Sequence, residues 1–104
     1  MINEDEYIRK LIKTKPIVDD WIQTCCVPRK YICHKRTGYG LKHALQFDTG
    51  VYLFNEDFAD AMRRNGFKLK PCQPGESCGE NDNFFNVYPK LRKWTGEKID
   101  YDKI

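Results

Sequence analysis

The chain lacks any apolar run approaching the roughly 18 residues that a membrane-spanning helix requires. Its opening, MINEDEY, lacks the basic-then-apolar order of a secretory signal. A soluble, intracellular protein with no membrane partner is expected. There is no phosphate-cradling glycine loop and no HExxH pattern, which excludes the two commonest short signatures of nucleotide and zinc-protease chemistry. There is no internal repeat. Cysteine is present five times, an odd number in a chain without an export signal, so reduced thiols are expected and a disulfide framework is not.

The side chains that are there do not assemble a catalytic or metal pattern either. Cys25-Cys26, Cys33-His34, Cys72 and Cys78 miss the two-to-four-residue pairing that lets one tight turn aim two ligands at zinc. No metal site is therefore expected. Cys33 beside His34 is no nucleophile and base, because a working pair needs the two side chains aimed at each other and a third group orienting the imidazole. His43 reads as a helix-surface or half-buried residue, and Asp19-Asp20 and Glu56-Asp57 read as charges in first helical turns. No enzymatic activity, cofactor or small-molecule substrate is expected.

With 104 residues and 40% apolar content the chain has room for one domain and one modest core. At 13% aromatic, that core is expected to be weighted toward large rings. The net charge of +3 is mild but uneven. Residues 27–70 carry Arg29, Lys30, Lys35, Arg36, Lys42, Arg63, Arg64, Lys68 and Lys70 against Asp48, Glu56, Asp57 and Asp60, while both flanks are slightly acidic. That asymmetry points to an anionic partner for the middle of the chain, a phosphate backbone or an acidic protein face. A set of merely solvated surface charges is the plain alternative.

Asn3 with Glu6 three residues on predicts a helix start, with Ile2 and Tyr7 placed to staple it. Tyr7, Ile8, Leu11 and Ile12 form its inner stripe, and Arg9, Lys10 and Lys13 face away. Pro16 predicts the first turn of a second helix carrying Ile17, Val18, Trp21 and Ile22, which Val27-Pro28 ends. RKYICHKR, from Arg29 to Arg36, is a short strand or an extended arm. Its basic residues flanking Tyr31 suit phosphate contact and base stacking, and equally a charge-protected edge strand.

The most organised stretch is residues 36–67. Thr37 or Gly38 caps a helix presenting Leu41, Ala44 and Leu45, and Gly50 is a left-handed stop. Asn55 caps a second helix with Phe58, Ala61 and Met62 inward and Arg63 and Arg64 in its last turn. Gly66 ends it, with Phe67 touching Met62. FKLKP and NFFNVYP then predict a hairpin with a long tip, CQPGESCGEND. A hairpin directly after a capped helix pair is winged-helix order. The expected fold is a small single α+β domain: N-terminal helices at 1–28, a winged-helix-like core at 36–89, and a C-terminal tail at 90–104 that docks, or adds a strand, through Trp94.

The residues Tyr39, Gly40, Leu41, Lys42 and His43, then Tyr52, Asn55, Phe58, Ala61, Met62, Gly66, Phe67, Asn83 and Phe85 form a pattern across about half of the chain. It resembles a recurrent family of small proteins of phages, plasmids and other mobile elements. That family carries no settled biochemical activity, so no catalytic residue transfers from it. The N-terminal helices, the CQPGESCGE insertion and the tail depart from the shorter pattern. The resemblance implies a protein that acts by binding in the cytoplasm of a bacterial host, including as an inhibitor of a CRISPR nuclease. The expected partner is nucleic acid or a nucleic-acid-handling host protein. A protein-only module meeting an acidic surface and a small metal-stabilised domain are the alternatives.

Overall fold

Asn3 opens the first helix as its chemistry dictates, its Oδ1 accepting from the Glu6 amide at 2.8 Å. The computed structural model, which describes residues 3–73, 75–76 and 82–104, then continues α1 without interruption from Glu4 to Cys25. One helix thus replaces the expected two. Pro16 lies inside it and deprives the Ile12 carbonyl of its donor. The helix tolerates this because Ile12 is 70% exposed, so water reaches that turn.

The buried stripe of α1 is Tyr7, Lys10, Thr14, Val18, Trp21, Ile22 and Cys25. Ile8 and Ile12, expected inside, are exposed, and Lys10, expected outside, is buried. The inversion has a partner-based cause: the Lys10 amine donates to the Tyr101 carbonyl at 2.8 Å, stands 4.5 Å from the centroid of the Tyr101 ring, and lies 3.5 Å from Glu6. Residue 2, assigned to the hydrophobic staple, lies outside the described residues.

β1 (Pro28–Thr37) leads directly into α2 (Gly38–Thr49). Thr37 Oγ1 caps α2 by accepting from the Gly40 amide at 3.1 Å, and Gly50 ends it with φ +83°. α3 (Asn55–Arg64) starts one residue earlier than expected, with Phe54 rather than Asn55 as the cap. The first amide is served from outside: Phe54 N–H donates to the Tyr7 hydroxyl at 2.9 Å, and that hydroxyl donates to Asp57 at 2.6 Å. At the other end the Gly66 amide donates to Arg63 and the Phe67 amide to Met62, both near 3.0 Å, the paired bonds of a Schellman ending.

β2 (Leu69–Pro71) and β3 (Asn83–Val87) form the expected antiparallel hairpin, and β1 lies on the other side of β3, giving the sheet order β1-β3-β2. The tip of that hairpin falls largely outside the described residues. A single core joins Val18, Trp21 and Ile22 of α1 to Leu41 and Leu45 of α2, Phe58 and Met62 of α3, and Phe85 and Val87 of β3. The tail docks and adds no strand. The Arg92 amide donates to Cys25 and the Ile99 amide to Thr49, and a short 3-10 helix, Tyr101–Lys103, closes over α1. Among the described residues no helix is long and apolar enough to cross a membrane.

Candidate nucleic-acid interface

β1 meets β3 at Pro28–Val87, Cys33–Phe85 and Thr37–Phe84. Arg29 to Ile32 therefore stand opposite Asn86 alone, and His34 to Arg36 bulge between Cys33 and Thr37, whose partners are neighbours in β3. Such bulges re-aim side chains away from the pleat. They place the cations of RKYICHKR on the outer edge of the sheet, with Lys30 and Lys35 exposed.

The first bulge is braced by its own arginine. Arg29 Nε donates to the Tyr31 carbonyl at 3.0 Å and Nη2 to the Ile32 carbonyl at 3.2 Å, while Asn86 Nδ2 donates to the Arg29 carbonyl at 3.0 Å. The same guanidinium lies 6.0 Å from the centroid of the Tyr88 ring, and Lys30 Nζ lies 5.5 Å from that of Tyr31. Both rings face outward, Tyr31 being 69% and Tyr88 50% exposed.

The chain that follows β3 extends this surface. The Tyr88 amide donates to the Val27 carbonyl at 2.9 Å, Arg36 Nε donates to the Pro89 carbonyl, and the Arg92 amide is held on Cys25. Residues 88–93 are thereby laid beside β1. The resulting open groove, about 600 Å³, is lined by Val27, Tyr88, Lys90, Leu91, Arg92 and Lys93. It has an apolar floor and a rim of cations, and among the described residues no acid lines it. None of Lys30, Lys35, Lys90, Arg92 or Lys93 has a carboxylate within ion-pair distance among the described residues.

The remaining cations singled out in the sequence stand elsewhere. Lys42 packs on α2 with its amine 5.8 Å from the Tyr39 ring and 5.5 Å from the Tyr52 ring, and burial lowers its pKa, against an opposing pull from Asp82. Arg63 pairs with Asp60 at 3.2 Å, and Arg64 with Asp19 of α1 at 2.5 Å, where Asn65 also donates at 2.9 Å. The exposed flank of α3 begins with Glu56 and carries Asp60, so its two arginines follow and partly neutralise acids. Lys68 and Lys70 belong to the β2 side, across β3 from β1. The nine cations therefore occupy four places, β1, α2, α3 and the β2 side, and not one helix-pair surface. Sequence reasoning passed over Lys90, Arg92 and Lys93 because the C-terminal third is acidic on balance; their clustering within KLRK was the available signal.

The thiols of Cys25, Cys26 and Cys33 take no part in this surface. Cys25, Cys26 and Cys33 are free and buried, and burial pushes the Cys25 thiol up to about 11 and that of Cys26 up to about 12. Cys72 is disulfide-bonded, which corrects the expectation of reduced thiols throughout. Among the described residues no group of three or more His, Cys, Asp or Glu side chains is gathered as metal ligands. Compared with family models, curated proteins and solved structures, the chain matches none.

Proposed function

We propose that the chain is a non-enzymatic binding protein of a phage or other mobile element that engages nucleic acid through the β1 edge and residues 88–93. Its build supports a winged-helix-like reading: helix, strand, helix pair and hairpin in that order, with the strand laid on the second arm of the hairpin. The observation that carries the proposal is the groove of Lys90, Arg92 and Lys93, which no acid lines among the described residues, with Arg29 of β1 over the Tyr88 ring at its edge. Cations without carboxylate partners are available to displace counterions from phosphates, whereas those already paired are not. By the resemblance to mobile-element proteins, the biological target is host nucleic acid or a host protein that carries it, such as a CRISPR nuclease.

Fluorescence anisotropy of a labelled oligonucleotide, titrated between about 50 and 200 mM salt, tests this. Affinity is expected to fall steeply with salt, and each of K90E and K93E to reduce the log–log slope by at least about 0.7. R63E is expected to leave the slope alone. Binding that ignores salt, or that responds to R63E and not to K90E, refutes the assignment. The protein-only alternative draws on the same surface, since exposed tyrosine and arginine are the residue types of protein hot spots. Absence of any oligonucleotide binding at the lower salt favours it.

A further inference from the structure

We infer that the nucleic acid held on this surface is single-stranded, with unpaired bases stacked on Tyr31 and Tyr88. The inference rests on the polyanion reading above and adds the ligand class.

Tyr7 and Phe58 are buried, and Phe84 and Phe85 lie in the centre of the sheet, whereas Tyr31 and Tyr88 stand out from it. Exposing two large rings forfeits burial worth about 25 cal/mol per Å² of apolar surface. Their setting is nonetheless fixed. Arg29 bonds the Tyr31 backbone carbonyl with one edge of its guanidinium while lying 6.0 Å from the centroid of the Tyr88 ring, so a single side chain touches both residues and braces the backbone that carries Tyr31. Arg29 is in this sense a positioning residue. Lys30 sits over Tyr31, and Lys90 follows Tyr88 by two residues, so each ring has a cation at phosphate-reaching distance along the chain.

The face of a tyrosine ring is of use to a nucleic acid only where a base presents its own face, which a duplex keeps inside its stack. The groove beside the rings has the same character. Val27 and Leu91 form an apolar floor suited to the flat of a base, and Lys90, Arg92 and Lys93 supply the rim for a backbone. The element that would enter a duplex groove in a winged-helix domain is α3, and it is poorly charged for that task. Its exposed flank presents Glu56 and Asp60, and its two arginines are bonded to Asp60 and Asp19. Phosphates of a duplex would meet carboxylates first.

The test compares a fluorescein-labelled oligothymidylate with a duplex of equal length at the same low salt, using the full chain. The single strand is expected to bind about tenfold more tightly. Y31A and Y88A are each expected to weaken it by about tenfold, the usual loss on removing one stacking platform, while Y31F and Y88F retain binding. Both rings are exposed, so unchanged thermal melting of the variants serves as the folding control. Equal affinity for strand and duplex, or indifference to Y31A and Y88A, overturns the inference. If K90E and K93E still weaken both ligands in that case, the polyanion surface survives its loss. If neither ligand binds, both readings fall.

Discussion

Asp19 shows how one side chain decides the fate of a cation. Burial pushes its carboxyl up, yet hydrogen bonds from Arg64 and Asn65, together with the Arg64 charge, outweigh that and hold it below the ordinary aspartate value. A carboxyl whose pKa is lower folded than unfolded adds stability above the unfolded value, about 4, and loses it as pH falls through the folded one. Asp19→Asn is therefore expected to lower the urea midpoint at neutral pH, with the gap from the parent closing below about pH 4. Midpoints measured at both ends of that range check it; a gap that is constant with pH denies the ion pair its role. Arg64 is thus spent on the α1–α3 contact, a commitment invisible in a sequence where Asp19 lies 45 residues away. Lys10 is a second case. Its charge says surface, and a carbonyl and ring arriving from residue 101, with the Glu6 carboxylate, make burial tolerable.

α1 carries the clearest consequence of one residue for an element. Proline inside a helix removes a hydrogen bond and crowds the preceding turn, at about 3 kcal/mol against alanine. α1 stays whole because the stripe from Tyr7 to Cys25 packs along its full length, and Thr14 Oγ1 donates to the Lys10 carbonyl at 2.8 Å in the turn before the proline. Pro16→Ala should restore the bond to Ile12 and raise stability by about 1–2 kcal/mol, less than the full helix value because the unfolded chain also gains freedom. Urea denaturation measures it, and an unchanged or lower midpoint would mean that Pro16 fits a conformation the helix requires. Elements with local punctuation were legible: Thr37, Gly50 and the Gly66-Phe67 ending place α2 and α3 to within a residue. α1 was not, because Pro16 is a strong local signal overridden by packing on both sides of it. Nor were the two bulges of β1. The first is held by Asn86, which donates to Arg29 on one side and exchanges bonds with Lys68 on the other, at 57 and 18 residues' separation.

At the scale of the whole molecule, the C-terminal chain makes the basic surface by returning to two elements in turn. Its first anchor, Arg92 on Cys25, sets residues 88–93 beside β1; its second, Ile99 on Thr49, seats the end of the chain against α2. The hydrophobic pattern of KLRKWTGEKIDYDKI is too weak to announce either, since both are backbone bonds and leave no trace in side-chain periodicity. The second anchor depends on Gly50. Its φ of +83° suits glycine alone, and a Cβ there would stand 2.2 Å from the Ile99 carbonyl oxygen, a backbone atom that cannot swing aside. Gly50→Ala must strain the left-handed turn, at about 1–2 kcal/mol, and also push residues 99–104 off α2. That would strip Lys10 of the Tyr101 carbonyl, so the total loss of stability is expected to exceed the strain alone. The first anchor lies seven residues upstream of Ile99 and is untouched. Gly50→Ala should therefore melt earlier and lose its C-terminal residues to limited proteolysis, while the folded protein keeps its oligonucleotide affinity. A loss of binding at temperatures where the variant remains folded would show that the groove is held by the end of the chain, and not by Arg92 and the β1 bulges.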